Sequence, residues 1–514
     1  MDEESHRKGA LIHPAYRRFL GLSGLIFLLL VLRRPDAITN PQFWAEDGVI
    51  FFFGQITHTG LGALVVPYAG YLHVVPRLVA AFAALFPGSS TPLIFNLFAF
   101  VIAAFCCSLF SLNWYRYLLQ SDWLRVVVCV LIATAIQADE LIGTITNAHW
   151  FLFPAIILIL LQPAEVYEGR SRWAGYLSLI LGVLGTLSEP LVVLLLPLSI
   201  WRAVRRKGLA SLAPAAITLA AVVQIAVFVL GPLPEVSKGS TSLRKLVSGS
   251  VVGISYRVAL SPVLGVRPTR YITRLMPYRA VFAIFLVLAA CLLYMWWRGN
   301  TRQRWIVATI SYLIVGSVAL AMGGRSLAKY FPSSGAITWT GERYFFLSAC
   351  LIVYLVAVSI ENWAPGRSKG GQAFVLVAVF ALGIFWNFRA TPFTDYHWDV
   401  YGPKVERWIA AKRSGIPVRS LSVPINPLFW MVDFTGLPYV EHPLLEGQLI
   451  RRPGALPGDI KLPGDIKVYV LESDRKRWIV DPLWFQDHNY KWPDDVCTIP
   501  LEQLNAIPTG PPIW

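Results

Sequence analysis

Two adjacent carboxylates in the segment 44–48 are the residues of this chain best suited to acid–base chemistry. They follow Phe43-Trp44 and precede the apolar run 49–53, where hydration of a charge is costly. Neighbouring residues on a helix or turn point about 100° apart, so one acid can face a site while the other supports the structure. We expect Asp47 to act as a general base, with Glu46 beside it. A solvated acidic cap on a surface helix is the alternative.

Histidines, further acids and an arginine recur in the polar segments that follow. The residues that we expect to contact a substrate are Trp44, Tyr71, His73, Asn147, His149, Glu189 and Glu342. Arg343 carries a planar guanidinium that suits a phosphate. The alternatives are structural. His73 would be a satisfied interfacial histidine, Glu189 would cap the helix that Pro190 begins, and Arg343 would pair with Glu342 at the membrane surface.

A divalent metal is a further alternative for the same residues. Glu46, Asp47, His73 and His149 offer carboxylate and imidazole, which suit zinc or manganese. No ligand spacing supports such a site, and the chain has no Gly-rich phosphate loop or paired-aspartate motif for a nucleotide sugar. The sequence therefore predicts that no cofactor is needed.

The elements that must position these residues are transmembrane helices. The chain has 514 residues, of which 55% are apolar and 15% are charged. Soluble proteins carry about 25% charged residues, so the composition excludes an ordinary soluble enzyme. It predicts an all-α polytopic membrane protein with about 11 spans. The predicted spans are 19–32, 92–112, 123–138, 149–161, 173–187, 190–201, 211–231, 280–297, 305–322, 344–360 and 373–389.

Basic residues set the predicted orientation. They cluster on alternate connections, beginning with Arg17 and Arg18, which places the N-terminus in the cytoplasm. Anionic lipid headgroups and these signals account for the net charge of +15, so we expect no nucleic-acid partner. The predicted external segments are 33–91, 139–148, 188–189, 232–279, 323–343 and the tail after 390. All candidate site residues then lie at one membrane face.

Two of the predicted external segments have an unusual composition. The first, 33–91, contains an apolar stretch interrupted by polar and proline residues, and we expect interfacial helices that lie on the membrane. The second, 232–279, is basic, with Glu235 as its single acid. Its cations are Lys238, Arg244, Lys245, Arg257, Arg267, Arg270, Arg274 and Arg279. They would either attract lipid headgroups or bind an anionic lipid substrate, with Arg270, Arg274 and Arg279 as candidate phosphate ligands.

The chain resembles the GT-C superfamily of integral membrane glycosyltransferases in four features. These are an acidic pair after the first span, many spans with short internal loops, later external acids with an arginine, and an external tail. The likeness covers residues 15–390 and rests on the segments 44–48, 67–73, 147–150 and 341–344. Within the superfamily the chain is most similar to bacterial enzymes that glycosylate cell-envelope polymers such as O-antigen of lipopolysaccharide.

The resemblance implies a polyprenyl-phosphate sugar donor and a glycan or glycolipid acceptor at the outer face of a bacterial inner membrane. Asp47 would deprotonate the acceptor hydroxyl, with inversion at the anomeric carbon. Arg343 and cations of the basic segment would stabilise the departing polyprenyl phosphate. Residues 1–390 would form the catalytic domain.

The tail 391–514 predicts a small mixed α/β domain in the periplasm, with strand-like runs at 418–423 and 466–471. The hexapeptide at 456–461 is repeated at 462–467 and is interpreted as a duplicated turn. Trp398, Trp430, Trp484 and Trp492 would serve either as carbohydrate platforms or as core residues.

Two other classes of protein compete with this interpretation. A transporter or flippase of lipid-linked sugars predicts internal repeats and broken spans with charges at the bilayer midplane. An envelope scaffold would use the tail to bind partners, but it leaves Glu46, Asp47 and Arg343 without a role.

Overall fold

The computed structural model describes most of the chain. The described residues are 14–57, 61–167, 172–231, 242–324, 341–363, 368–416, 420–434, 446–451, 467–473, 475–480, 483–491, 495–499 and 501–513. Four sequence predictions fall wholly or almost wholly outside them: the start of the basic segment with Lys238 and Glu235, most of the connection 323–343, the repeat 456–467 except its last residue, and Trp492.

Helices form the greater part of the described chain. Their starts follow local chemistry: the hydroxyls of Ser121 and Ser368 accept the N–H groups of Leu124 and Gly371, as N-caps do. The α-helices are α1 Pro14–Arg33, α2 Asp36–Thr39, α3 Phe53–Thr57, α4 Val74–Ala83, α5 Thr91–Ser108, α6 Asp122–Thr134, α7 His149–Leu161, α8 Arg172–Thr186, α9 Leu196–Arg205, α10 Leu209–Leu230, α11 Leu243–Gly253, α12 Ser261–Leu264, α13 Val266–Leu275, α14 Tyr278–Arg298, α15 Thr301–Gly324, α16 Phe346–Trp363, α17 Lys369–Asn387, α18 Trp398–Arg413, α19 Leu483–Asp487 and α20 Leu501–Ala506.

The strands lie in the C-terminal part, as the sequence predicts. They are β1 Leu421–Ile425, β2 Trp430–Phe434, β3 Leu449–Arg451, β4 Val468–Glu472, β5 Arg475–Trp478 and β6 Val496–Thr498. Strands β1 and β2 form an antiparallel hairpin, and the others form a sheet in the order β5-β4-β3-β6. Only the β3–β6 pair of that sheet is parallel.

Seven helices of the described chain are long and apolar enough to cross a membrane, which supports a multi-pass membrane protein. They are Gly88–Ser111, Leu209–Leu230, Leu243–Leu264, Tyr278–Arg298, Gln303–Gly323, Glu342–Asn362 and Lys369–Asn387. An eighth span would be the pair Ala174–Thr186 and Pro190–Arg205, bent by 120°. The predicted count of about 11 is not confirmed. Helices α6 and α7 have 13 residues each, and a crossing takes about 20.

The connections predicted to be external meet at one end of the helix bundle. We call this the loop end; it is formed by the described residues of 34–87, 135–148, 187–189, 341–345 and 388–397. Contacts that join them are Asp47 with Thr146, Val74 with Leu187, Glu140 with Glu342, and Phe393 with Asp36. At the opposite end, Arg18 lies 3.9 Å from Asp122 and Glu361 accepts the N–H of Ser121 at 2.7 Å. The start of α1 and the end of α17 thus lie at opposite ends of the bundle.

The helix Leu243–Leu264 lies across the loop end, although its length would allow a crossing. Near its middle, Arg257 donates to Gln137 at 2.7 Å. Near its end, the carbonyl of Ser261 accepts the amide of Asn387 at 3.1 Å. This part of the basic segment is therefore helical, and its second half lies at the loop end of the bundle.

The first external segment enters the bundle instead of lying on its surface. The side chain of Gln224, within α10, accepts the N–H of Leu72 at 2.9 Å and donates to its carbonyl at 3.1 Å. Gln224 is six residues from the end of α10, which corresponds to a depth of about 9 Å at 1.5 Å per residue. The interfacial helices of this segment stay a prediction, and the part near Leu72 is held by a polar side chain of α10.

Two fully buried arginines join the helix ends at the loop end. Arg33 donates to the carbonyls of Ala133, Ile136, Asn387 and Phe388, at the ends of α6 and α17. Arg34 donates to the carbonyls of Ile142 and Thr391 at 2.8 and 2.7 Å. C-terminal carbonyls have no partner within their own helix and carry partial negative charge, so cations are stabilised there.

The segment 391–434 shares a hydrophobic core with the first external segment. Members of this core are Phe43, Phe51, Phe52, Phe95, Ile145, Trp398, Val405, Trp408, Val423, Ile425, Val432 and Phe434. The four-stranded sheet has separate small cores around Leu449 and Ile450. The predicted tail is therefore built in two parts, and the first part belongs to the loop end.

The contact between α17 and α12 leads to a test of helix packing. A Cβ atom on Gly383 would overlap the carbonyl oxygen of Pro262, whereas one on Gly370 of the same helix would meet nothing within 4 Å. We expect Gly383→Ala to lower the free energy of unfolding by about 1–3 kcal/mol, because a backbone oxygen cannot move aside alone. Gly370→Ala should leave it unchanged or slightly higher. Thermal unfolding of both variants in detergent measures this, and equal stability would contradict the packing described.

Candidate functional site

The turn 44–48 separates the directions of its two acids. Ala45 has a φ of 38°, in the left-handed region that residues with a side chain seldom adopt. Its N–H donates to the carbonyl of Asn426. A π-helical turn, Asp47–Phe52, begins directly afterwards. Asp47 is consequently buried, whereas Glu46 remains half-buried.

Asp47 holds two loops together. Its side chain is enclosed, with the residue 1% exposed, and its oxygens accept the N–H groups of Thr146 at 2.7 Å and Ile145 at 3.1 Å. Burial raises the pKa of Asp47 well above its ordinary value, and the two amide hydrogen bonds oppose that rise. Both oxygens are already occupied, so this geometry does not favour the prediction that Asp47 is the general base.

Glu46 is the acid that remains accessible. Its Oε1 accepts the Tyr68 hydroxyl at 3.4 Å, and its charge also acts on Arg343. The segment 68–71 forms a tight turn in which Ala69 and Gly70 both have positive φ, and this turn brings Tyr68 to Glu46. The sequence predicts the acid pair as a feature of interest, and the structure gives its two members opposite surroundings.

Arg343 pairs with Glu140, not with its neighbour Glu342. The guanidinium donates to Glu140 Oε2 at 2.7 Å, and the two side chains are 31% and 24% exposed. Glu342 is buried and its Oε1 accepts the N–H of Glu140 at 2.8 Å. The charges of both acids also act on the buried Arg257. We call Glu46, Glu140, Arg257, Glu342 and Arg343 the charged cluster.

Buried aromatic and imidazole rings contact Tyr68, the residue that donates to Glu46 of the charged cluster. Tyr71 packs on His73 with ring centroids 4.1 Å apart, and both residues are buried. His149 Nδ1 lies 2.7 Å from Glu189 Oε2, and Glu189 Oε1 caps Leu191 at 2.8 Å. The predicted capping role of Glu189 is therefore found together with a second contact to His149.

Asn147 has a local role. Its amide donates to the carbonyl of Glu140 at 2.7 Å and to the hydroxyl of Thr144 at 3.1 Å, and the residue is buried. It shapes the loop that carries Glu140. This position does not favour the prediction that Asn147 contacts a substrate, because its amide already donates two hydrogen bonds within the loop.

The predicted phosphate ligands of the basic segment are all exposed. Arg270 and Arg274 are exposed on α13, and Arg279 is exposed at the start of α14. Arg270 is close enough to Arg257 for the two charges to repel. The described part of the basic segment thus brings one exposed arginine near the charged cluster, with further exposed cations beside it.

Among the described tryptophans with a predicted role, Trp398 is buried, whereas Trp44, Trp430 and Trp484 are half-buried. Trp44 lies against Phe393 at 5.7 Å, and Trp398 is 3% exposed within the core shared with Phe43. Trp484 is flanked by near-parallel rings, those of His488 at 3.9 Å and Tyr490 at 5.6 Å. These positions favour the core-packing alternative for Trp398 and Trp484.

Among the described residues, no group of three or more histidine, cysteine, aspartate or glutamate side chains is arranged to hold a metal ion. Asp47 accepts two amide hydrogen bonds and His149 contacts Glu189, so the four residues considered from the sequence do not form one ligand set.

Comparisons with protein-family models, curated proteins and solved structures gave no match to this chain. The resemblance to the GT-C superfamily accordingly stays a prediction.

Four residues with contacts at the loop end lie outside the candidate site that the sequence predicts. Glu140 follows Asp139 in the predicted external segment 139–148, and Arg257 is one of the cations of the basic segment. Asn426 and Gln137 gave no signal, because each is a single amide in a stretch without a motif. Their partners, Ala45 and Arg257, are distant in sequence.

Proposed function

We propose that the protein is a membrane glycosyltransferase that takes a sugar from a polyprenyl-phosphate donor and transfers it to a cell-envelope glycan or glycolipid. The observation that carries the proposal is the charged cluster, in which an accessible carboxylate lies beside guanidinium groups at one end of an apolar helix bundle. Proton acceptance and phosphate stabilisation are the two functions that transfer from a lipid phosphate needs.

Glu46 takes the place of Asp47 as the proposed base. Its carboxylate accepts the proton of an acceptor hydroxyl while that oxygen forms a bond to the anomeric carbon. The bond from this carbon to the phosphate oxygen breaks, and its electron pair leaves with the polyprenyl phosphate. The configuration at the anomeric carbon is inverted. Tyr68, which donates to Glu46 at 3.4 Å, orients the carboxylate.

Arg343 stabilises the departing phosphate. Its guanidinium is 31% exposed and is held by Glu140, so it presents a fixed edge to the site. Arg270, Arg274 and Arg279 extend positive charge outward from the cluster and would receive the donor headgroup. The apolar helices provide the surface for the isoprenoid chain.

A transporter or flippase of lipid-linked sugars is the second candidate. The bent pair Ala174–Thr186 and Pro190–Arg205 is the observation that favours it, because broken spans with a charged residue at the break are typical of transporters. Glu189 lies at the break, but it is already engaged by His149 and Leu191. This pairing favours a structural role for the break.

The test of the proposed function uses purified protein in liposomes with radiolabelled polyprenyl-phosphate hexoses and envelope glycan. New glycosidic bonds support the transferase. Movement of the lipid-linked sugar between leaflets without new glycosidic bonds would favour the flippase. If the protein shows neither activity with any of these donors, the transferase proposal is wrong for this donor class.

Replacing Arg343 by lysine tests the phosphate role. Lysine keeps the charge but loses the planar fork, so we expect transfer to fall by about 10²-fold. Arg116→Lys is the matched control, because Arg116 makes a similar pair with Asp122 at the opposite end. Rates measured at saturating acceptor decide, and equal rates for both variants would exclude Arg343 from the site.

A further inference from the structure

Asn426 joins three segments at the loop end. Its backbone N–H donates to the carbonyl of Phe43 at 3.0 Å, and its carbonyl accepts the N–H of Ala45. Its side chain accepts the N–H of Thr394 at 2.8 Å and donates to the carbonyl of Thr394 at 2.9 Å. Asn426 is 3% exposed, so all four of its polar groups are used within the protein.

The backbone that Asn426 holds is strained. A left-handed conformation in a residue with a side chain is energetically unfavourable and persists only where surrounding contacts impose it. At Ala45 those contacts come from Asn426 on one side, and from the Asp47 N–H, which donates to the carbonyl of Trp44 at 2.8 Å, on the other.

The hairpin β1–β2 approaches the same turn closely. A Cβ atom on Gly48 would come within 2.9 Å of Ile425 and 3.0 Å of Val432, so the hairpin packs directly on the turn where no side chain intervenes. The hydrogen bond from the Ala45 N–H to the Asn426 carbonyl is therefore part of a broad contact between the turn and the hairpin.

We infer that the described residues of the segment 394–434 are a built-in part of the site, in which Asn426 is a positioning residue that fixes the direction of Glu46. The left-handed turn at Ala45 sends Asp47 inward to the amides of 145–146 and leaves Glu46 beside Tyr68. Without the Asn426 side chain, its two hydrogen bonds to Thr394 are lost, and the backbone of Asn426, which supports the turn, is held less firmly. The catalytic part of this inference rests on the proposed function.

The first experiment does not depend on activity. Hydrogen exchange of the backbone amides of 45–48 is measured by mass spectrometry in the full-length protein, in wild type, Asn426→Ala and Asn426→Asp. We expect exchange to rise at least about tenfold in Asn426→Ala, and less in Asn426→Asp, which keeps the acceptor for Thr394. Arg477→Gln is the control, since Arg477 pairs with Glu472 in the four-stranded sheet. Unchanged exchange in Asn426→Ala would overturn the inference.

The second experiment asks whether Asn426 acts through Glu46. In single variants, we expect Asn426→Ala to lower kcat by about 10²-fold with KM nearly unchanged, because misplacement by about 1 Å has effects of this size. In a Glu46→Gln background the same change should cost almost nothing more, since residues that act as a unit are not additive. If the losses in kcat from Asn426→Ala and Glu46→Gln are additive, Asn426 does not act through Glu46 and its role is structural. If the wild type transfers no sugar, the exchange measurement alone decides on the positioning of the turn.

Discussion

Replacement of Glu46 by glutamine is expected to lower sugar transfer by about 10²- to 10⁴-fold, the usual contribution of a positioned general base. The amide keeps the size of the side chain and can still accept the Tyr68 hydroxyl, so the fold should be retained. The measurement is single-turnover transfer at saturating donor, with thermal unfolding in the same detergent as the check on folding.

Asp47→Asn is the matched comparison. In this variant the NH2 group of the asparagine would face one of the two backbone N–H groups that donate to Asp47. A buried donor left without an acceptor lowers the free energy of unfolding by about 1–3 kcal/mol. We expect this variant to lose stability and to retain transfer at temperatures where it is folded. A folded Asp47→Asn protein without transfer, beside a normal Glu46→Gln protein, would restore Asp47 as the base and contradict our assignment.

Arg33→Gln is expected to lower the free energy of unfolding by about 3 kcal/mol or more. A shorter, neutral side chain cannot reach all four carbonyls that Arg33 serves, and each buried acceptor left unpaired costs about 1–3 kcal/mol. Chemical unfolding in detergent, followed by helical circular dichroism, measures the loss.

Arg389→Gln provides the control for that change. Arg389 is exposed and donates to a single carbonyl, that of Leu32, at 3.1 Å. Its replacement should alter stability by less than about 0.5 kcal/mol. Similar losses in the two variants would mean that the buried arginine does not hold the ends of α1, α6 and α17 together.

The helical architecture could be predicted because the membrane leaves few alternatives. Long apolar runs predict helices, and the distribution of Arg and Lys predicts which connections share a face. The grouping of those connections at the loop end agrees with that reasoning. The number of spans did not follow, because hydropathy does not distinguish a crossing helix from α6 or α7, which are apolar but 13 residues long.

The details of the site could not be predicted, because they depend on pairs distant in sequence. The sequence of 44–48 shows two acids but not which one is buried. That choice is made by the amides of Ile145 and Thr146 and by Asn426. Likewise Arg343 had an acid beside it in sequence, yet the turn at Gly341 directs it to Glu140.

The dependence of the acidic turn on a residue near the C-terminus has a consequence for biosynthesis. Ala45 is synthesised long before Asn426, whose carbonyl accepts the Ala45 N–H. We therefore expect the left-handed backbone at Ala45 to become fixed only after the hairpin β1–β2 has been synthesised and has packed against the turn.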